Sequence, residues 1–464
     1  MCIKEVMMKY IVMILAAGMG TRMKSREPKV LLEVAGKKMI AYVVNTAKSI
    51  PNKEIILVIN KGKELKNYVA DMGVTIAIQE EQRGTANAVE AGLTKIEDQF
   101  NGKVLIINGD MPLVDSNTIK DFISNSKKEK ISFITTHVKN PTGYGRVLRS
   151  TDGAFINIVE DKDASDKEKR ISEINTGIYL FDVKTLIQII KQVNNNNAQK
   201  EYYITSLLNK NSYPHVVDNK EQFLGVNNRC DIAQASKIMW EQRANNLMRQ
   251  GVSIIDPSNF YMDDSVVIEE GVTIYPNVHL QGETMIHKDS IIYPGNMIIN
   301  STIGIGCKVK ENCSIESSYV GDYSEIGPMA HLRPGSHLEG NNKIGNFVET
   351  KNTRMGENTK ASHLSYLGDA EIGQHVNIGC GTITCNYDGF SKHKTIIKDG
   401  VFVGSDVQLV APVNIGKNVI IGAGSTITKN IPEGALGVSR SEQKIIKNWF
   451  PRWKSKKDKD TGKK

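Results

Sequence analysis

No window of this 464-residue chain carries the uninterrupted apolar run that a membrane span needs, so an integral membrane helix is excluded. Cysteine is sparse and scattered. Cys2, Cys230, Cys307, Cys313, Cys380 and Cys385 show no zinc-binding spacing, and their scatter along a long chain does not suggest a disulfide framework. They read as reduced thiols of a cytosolic protein. Aromatic residues make up only 6% of the chain and do not interleave with basic ones. The net charge of +8 therefore does not point to a nucleic-acid partner, and no membrane partner is expected either. Much of that charge sits in the tail "RWKSKKDKDTGKK", Arg452 to Lys464, which reads as a solvated, disordered end. The apolar stretch "YIVMILAAG" is too short for a secretion leader and runs straight into a glycine loop, so it reads as a strand; Met7 or Met8 serves equally well as the natural start.

What is present has two grammars. Residues 10 to about 230 alternate strands with helices, from "YIVMILAAG" and "MIAYVVNTAKSI" through "KEIILVIN", "ELKNYVADMG", "VTIAIQ" and "TANAVEAGLTKI" to "KVLIINGD". That order predicts a Rossmann-like α/β domain with a mostly parallel sheet, assigned to residues 1–229. "CDIAQASKIMWEQRANNLMRQG" is helical by period and is assigned as a linker, residues 230–250. From residue 251 onward, isoleucine and valine recur every six residues, as in Ile286, Ile292 and Ile298, or Ile415, Ile421 and Ile427. Neither a helix nor an alternating strand gives a period of six. A parallel β-helix does, because each hexapeptide is one short strand and one turn with its aliphatic residue stacked inward. Two stretches, "AHLRPGSHLEGNN" and "CNYDGFSKHKT", read as interruptions of that period, and loops leaving a solenoid are often functional. The helix-like "SEQKIIKNWFPRW" near the end reads either as an arm or as a cap on the last coil.

The first half carries a phosphate cradle of an unusual kind. "LAAGMGTRM" places Gly18 and Gly20 after a strand, with Arg22 and Lys29 following, yet it lacks the Gly-Lys-Ser/Thr ending of a P-loop and the third glycine of a dinucleotide fingerprint. "INGDMPL" sets Asp110 just past a strand end, a position suited to a hard cation such as Mg²⁺ that keeps water and substrate phosphate as ligands. "NTGIY" (Asn175) and "GVNNR" (Asn227) offer amides beside glycines, again at apparent strand ends. Gln79, with Gly84 and Thr85, offers a donor–acceptor pair for a base edge, while Gly145 and Glu160 suit sugar hydroxyls. In the second half His363 stands among small polar residues with Tyr366 three positions on, and Arg333, Lys351 and Lys392 lie around the same coils. Three cations near one histidine suit an amino-sugar phosphate whose amine must lose a proton.

In order along the chain, "LAAGMGTRMKSREPKVL", "QRGTA", "NGDMPL", "PTGYGR", "EINTGIY", "NNNNAQKEYYIT" and "GVNNR" resemble the uridyltransferase half of the bifunctional N-acetylglucosamine-1-phosphate uridyltransferase/glucosamine-1-phosphate acetyltransferase family. The resemblance covers nearly the whole chain. It implies acetyl transfer from acetyl-CoA to glucosamine 1-phosphate, then Mg²⁺-dependent uridyl transfer from UTP to N-acetylglucosamine 1-phosphate with loss of pyrophosphate. It implies that Leu15, Ala16, Ala17, Gly18, Gln79, Gly84 and Thr85 contact the nucleotide and that Arg22 and Lys29 stabilise phosphate charge. Asp110 and Asn227 hold Mg²⁺ on this reading, and Gly145, Glu160 and Asn175 contact the sugar. In a left-handed β-helix, His363 is the implied general base, oriented by Glu349. Arg333 and Lys351 bind the sugar phosphate, and Tyr366, Asn377 and Asn386 shape the sugar site, Asn386 also facing the oxyanion. Cys380, Asn386, Tyr387, Ser405, Ala423 and Arg440 fall where acetyl-CoA contacts are expected. "IGCGT" departs from the expected "IGAGT", placing a thiol at Cys380. A homotrimer with sites between subunits is also implied. Two rival readings remain: a nucleotidyltransferase whose β-helix only oligomerises or regulates, and a structural β-solenoid. The second lacks the flat face of repeated threonines that would support it.

Overall fold

The computed structural model describes residues 8–460. Two compact units emerge, one running to Asn245 and including Met262–Asp264, the other comprising Asn246–Tyr261 and everything from Ser265 onward.

The first unit is built on a mixed sheet. Its strand order is Tyr213–Val216, Ile131–His137, Glu173–Asp182, Lys103–Asn108, Tyr10–Leu15, Lys53–Ile59 and Thr75–Ile78, with Arg146–Arg149 and Phe155–Val159 attached at the side. Tyr10–Leu15 runs parallel to both of its neighbours, Lys53–Ile59 and Lys103–Asn108. Glu173–Asp182 is antiparallel to the strands on either side of it. Alternation along Tyr10–Leu15 sends Val12 and Ile14 into one apolar layer and Ile11 and Met13 into the other, so helices cover both faces. The chain goes one way from Tyr10–Leu15 to Lys53–Ile59, and later returns on the other side as Lys103–Asn108. That is a topological switch point, where a crevice opens at the carboxyl ends of the strands. The helix Arg229–Arg249 buries Ala235 and Met239 in an apolar cluster with Met23, Val34 and Met39 of the first unit.

The second unit is a left-handed parallel β-helix with three short strands per coil. Thr273–Ile274 pairs with Ile291–Ile292, which pairs in turn with Lys308–Val309, all parallel and in register. The aliphatic residues at six-residue spacing, among them Ile286, Ile292, Ile298, Ile303, Val309, Ile315, Ile415 and Ile421, are buried. Trimming one of them to alanine would cost roughly 2–5 kcal/mol. Around "AHLRPGSHLEGNN" the expected interruption does not occur. Leu332, Leu338 and Ile344 are buried at the regular spacing, and their strands pair in register with the coil before. The polar residues, the glycines and the single proline misled, because they occupy outward positions and corners. The second interruption is real. Most paired positions lie 17 or 18 residues apart, as Lys360 to Asn377 and Phe402 to Ile420, but Asn377 to Phe402 spans 25.

The C-terminal tail is also ordered differently from the reading above. Trp449–Asp460 is helical and buries none of its residues, so it neither ends as disordered chain within the described residues nor caps the solenoid core. Met1, Cys2 and Met7 lie outside the described residues. No helix among the described residues is long and apolar enough to cross a membrane.

Candidate functional sites

The first site is assembled at the switch point. Gly109 donates its backbone N–H to the carbonyl of Leu15 (2.8 Å) and Ala16 donates to Val58 (2.8 Å), so the glycine loop and Asp110 leave adjacent strand ends together. Gly20 has φ +61, and a Cβ there would come within 2.6 Å of the Lys29 side chain, so only glycine lets the loop fold back this closely. Gly84 has φ +122 and packs against the backbone of Tyr202, placing Thr85 at the start of the helix Thr85–Leu93.

A cavity of about 550 Å³ collects Leu15, Ala16, Ala17, Gly18, Arg22, Lys29, Gln79, Gly84, Thr85, Asp110 and Asn227. A second cavity of about 290 Å³ collects Gly145, Glu160 and Asn175 and shares Thr85, Asp110 and Asn227 with the first. Each residue singled out for nucleotide, metal or sugar in this half thus lines one of two adjoining cavities. Asn227 gets there through a loop: Val226 donates to the carbonyl of Asp110 (2.9 Å), and Asn227 precedes the helix Arg229–Arg249. It is not at a strand end as expected. Asn175 is not either; it lies within the strand Glu173–Asp182, where the register shifts between Asn175 and Tyr179.

Local chemistry refines several roles. The Lys29 ammonium bridges Asp110 and the Asn227 Oδ1, the latter at 3.0 Å. Two hard oxygen donors therefore converge on one cation, a donor pair that fits Mg²⁺. Among the described residues no group of three or more His, Cys, Asp and Glu could hold a metal, so an ion here takes most of its ligands from water and substrate. Gln79 spends its amide nitrogen on Gly84 O (3.2 Å) and Asn87 Oδ1 (3.0 Å). It offers the cavity an acceptor, not the donor–acceptor pair predicted. Asn175 is tied to the Tyr179 hydroxyl at 2.7 Å and to the Gly177 N–H. Withdrawal from water raises the Glu160 carboxyl above its ordinary range, and the Thr205 hydroxyl, donating at 2.8 Å, opposes that rise. Asn108 and Glu201 line both cavities and were given no role above, although "INGD" and "QKEYYIT" contain them.

The second site lies on the outside of the β-helix. The strands Lys343–Met355 and Lys360–Ile372 run through three faces of their coils and pair residue for residue, Asn346 with His363, Glu349 with Tyr366 and Lys351 with Gly368. Glu349 does not orient His363. It accepts a hydrogen bond from Arg333 at 2.7 Å, while the His363 Nδ1 lies 3.1 Å from the Asn346 Oδ1. Lys351 is depressed below the ordinary lysine value, first by Lys392 beside it and then by Arg333, so these three cations do converge. Asn377 stands in the strand column of Lys360 and Phe402, whereas Tyr366 stands in that of Glu349 and Ile383. The two occupy adjoining faces, with His363 at the turn between. Along that same turn Asp406 donates to Cys380 O (2.7 Å), Gly424 donates to Ser405 O (2.8 Å) and Arg440 donates to Ala423 O (2.9 Å). The four expected acetyl-CoA residues Cys380, Ser405, Ala423 and Arg440 thus form one ladder.

The inserted loop braces itself. Asp388 accepts from the N–H groups of Ser391 (2.7 Å) and Phe390 (2.8 Å) and from His393, which holds its carboxyl far below the ordinary range. Tyr387 and Phe390 project outward, Phe390 being 94% exposed. Asn386 is buried and gives one amide hydrogen to Asp369, leaving less for an oxyanion than the sequence reading supposed.

Residues 12–162 match the MobA-like NTP transferase domain, and residues 394–429 match the bacterial transferase hexapeptide model of six repeats. The bifunctional protein GlmU of Syntrophotalea carbinolica is 45% identical over 445 residues, covering 94% of this chain and 96% of that protein. That of Thermosipho africanus is 46% identical, covering 95% and 97%. That of Geotalea daltonii is 43% identical, covering 96% and 99%. The chain belongs to the GlmU family. As a GlmU protein it is a two-activity transferase, carrying out uridyl transfer and acetyl transfer in UDP-N-acetylglucosamine synthesis. The scaffold-only and single-activity readings fall away. The two GlmU activities map onto the two grammars of the sequence, a nucleotidyltransferase α/β unit followed by a hexapeptide β-helix.

Proposed function

We propose that uridyl transfer takes place across the two adjoining cavities, with UTP in the larger and N-acetylglucosamine 1-phosphate in the smaller. The observation carrying this is that residues drawn from Leu15 to Asn227 line them jointly and share Thr85, Asp110 and Asn227 at the seam. A phosphate oxygen of the sugar attacks the α-phosphorus and pyrophosphate leaves, so positioning and charge neutralisation do most of the work. The loop N–H groups, Arg22 and Lys29 hold the triphosphate. Gln79 accepts a hydrogen bond from the base. Glu160, Asn175 and Gly145 hold the sugar. Asp110 and Asn227 would hold Mg²⁺, which supplies charge neutralisation on the phosphates when bound.

In the second site His363 takes the proton of the glucosamine 1-phosphate amine as nitrogen attacks the thioester carbonyl of acetyl-CoA; the carbon–sulfur bond then breaks and coenzyme A leaves as the thiol. Arg333, Lys351 and Lys392 hold the sugar phosphate. Tyr366 and Asn377 bound the sugar. The ladder of Cys380, Ser405, Ala423 and Arg440, with Tyr387 and Asn386, takes the acetyl-CoA. Phe347, Leu364 and Phe390 stand exposed around these residues, which favours a homotrimer in which neighbouring β-helices cover them. The enzyme works in the cytoplasm on small-molecule substrates. The test is one reaction followed by mass spectrometry, with glucosamine 1-phosphate, acetyl-CoA, UTP and Mg²⁺ each omitted in turn. N-acetylglucosamine 1-phosphate should form without UTP, and the nucleotide sugar only with UTP and Mg²⁺. Nucleotide sugar formed at full rate without divalent metal would remove the ion from the scheme.

A further inference from the structure

Among the described residues His363 has one side-chain hydrogen-bond partner, and it is not a carboxylate. Its Nδ1 lies 3.1 Å from the Oδ1 of Asn346, its register partner one coil earlier. The carboxylate expected to orient it, Glu349, is engaged by Arg333 at 2.7 Å. We propose that Asn346 is a positioning residue for acetyl transfer: its amide oxygen accepts the Nδ1–H of His363 and so leaves the Nε2 lone pair free to take the proton of the attacking amine. This rests on the reading of His363 as the base.

The backbone around the pair supports a built arrangement. Each of the two residues is followed by a bulky residue in the left-handed region, Phe347 with φ 58 and Leu364 with φ 28. Side chains of that size are strained in this conformation, where the Cβ crowds the backbone, and glycine avoids the clash. One coil later at the same corner the chain uses glycine, Gly381 with φ +79, whose N–H bonds to Leu364 O at 2.7 Å. Strain of this kind persists where the surroundings over-determine it. Here the turn sends Asn346 and His363 out of consecutive rungs side by side. Ser365 then fixes the histidine backbone, its hydroxyl donating to His363 O at 2.9 Å. A neutral acceptor has a chemical consequence. It selects a tautomer without adding a further carboxylate to the coils that carry Arg333 and Lys351, two of the cations proposed for the phosphate.

The test uses the full-length enzyme and two variants, Asn346→Leu and Asn346→Asp. Asn346→Leu keeps the shape and removes the acceptor; Asn346→Asp restores an acceptor. In Asn346→Leu the kcat of acetyl transfer should fall about tenfold or more, with KM for glucosamine 1-phosphate and acetyl-CoA within about twofold of the parent. Asn346→Asp should recover most of that loss. Uridyl transfer by the same samples, carried by the other unit, reports that each variant is folded. Nitrogen-15 spectra of the parent, assigned by subtracting those of His363→Gln, should show the neutral His363 ring protonated on Nδ1, and Asn346→Leu should shift it toward the other tautomer. A parental kcat in Asn346→Leu, or a parent ring protonated on Nε2, overturns the proposal. Acetyl transfer that survives His363→Ala would instead remove the base assignment, and the ring spectra distinguish that failure from this one.

Discussion

The two halves of the molecule build their sites by opposite routes. The α/β unit gathers residues spread over more than two hundred positions, from Leu15 to Asn227, into two adjoining cavities. The β-helix presents its residues on neighbouring rungs, within two faces and one turn, and leaves most of them open to water. The first is a site made by long-range folding within one chain. The second is a printed surface, ordered by a repeat. A fold with a switch point supplies enclosure, while a repeat supplies spacing.

Four changes would break or sharpen that contrast. The largest effect is expected from Asp110→Ala. It removes the carboxylate at the seam of both cavities and should lower uridyl transfer about a thousandfold or more, with acetyl transfer unchanged. Rates for both reactions in one preparation check this; parallel losses would mean that the units do not act separately. His363→Ala should do the reverse, lowering acetyl transfer about a hundred- to a thousandfold and sparing uridyl transfer.

A smaller effect concerns thiols. Cys307 and Cys313 are buried and burial pushes both up to about 11, so alkylation of the native enzyme should spare them. Cys380 is exposed on the ladder proposed to take acetyl-CoA. Inactivation of acetyl transfer by iodoacetamide should slow about tenfold in Cys380→Ala, while uridyl transfer keeps its parental course. Equal inactivation of variant and parent would exclude Cys380, and peptide mapping would show whether Cys385 reacted in its place.

The smallest effect is on stability. Glu160 has a folded-state value raised by burial, so folding takes up a proton between its unfolded and folded values. Its contribution to stability therefore falls as pH rises through that interval and stays low above it. Glu160→Gln should raise Tm by about 2 °C at pH 8 and leave it unchanged near pH 4. A calorimetric scan at both values decides; a decrease at pH 8 would mean that the charged carboxylate is better satisfied than its burial implies.

Much of this was readable in the sequence, for reasons that differ between the halves. A six-residue period has one structural solution, so Ile286, Ile292 and Ile298 announced the β-helix without help. The glycine loop and "NGD" announced a phosphate and cation site because short chain segments carry that chemistry. What could not be read depended on how the folded chain pairs its polar groups. The sequence does not show that the Gln79 nitrogen is taken by Gly84 and Asn87, only five and eight residues on, or that Asn386 meets Asp369. Glu349 looked like the partner of His363 because a carboxylate–imidazole pair is chemically natural, yet register set Asn346 opposite the ring and Arg333 beside the glutamate. The proline and glycine of "AHLRPGSHLEGNN" suggested a break where Leu332 and Leu338 in fact keep the period, since corners of a coil tolerate the residues that loops do.

The coil from Asn377 to Phe402 takes 25 residues where its neighbours take 17 or 18, and the strands on either side remain in step. The frame therefore treats the segment between Cys385 and Thr395 as a free margin. Lengthening it costs little, about 0.6 kcal/mol for each doubling of a flexible loop, because closure entropy grows only with the logarithm of length. Rungs that bury the aliphatic stack are not consulted. In such a molecule the scaffold and the instrument mounted on it can be revised separately, and residues such as Tyr387 and Lys392 can be moved, exchanged or extended while the ruled spacing beneath them stays as it was.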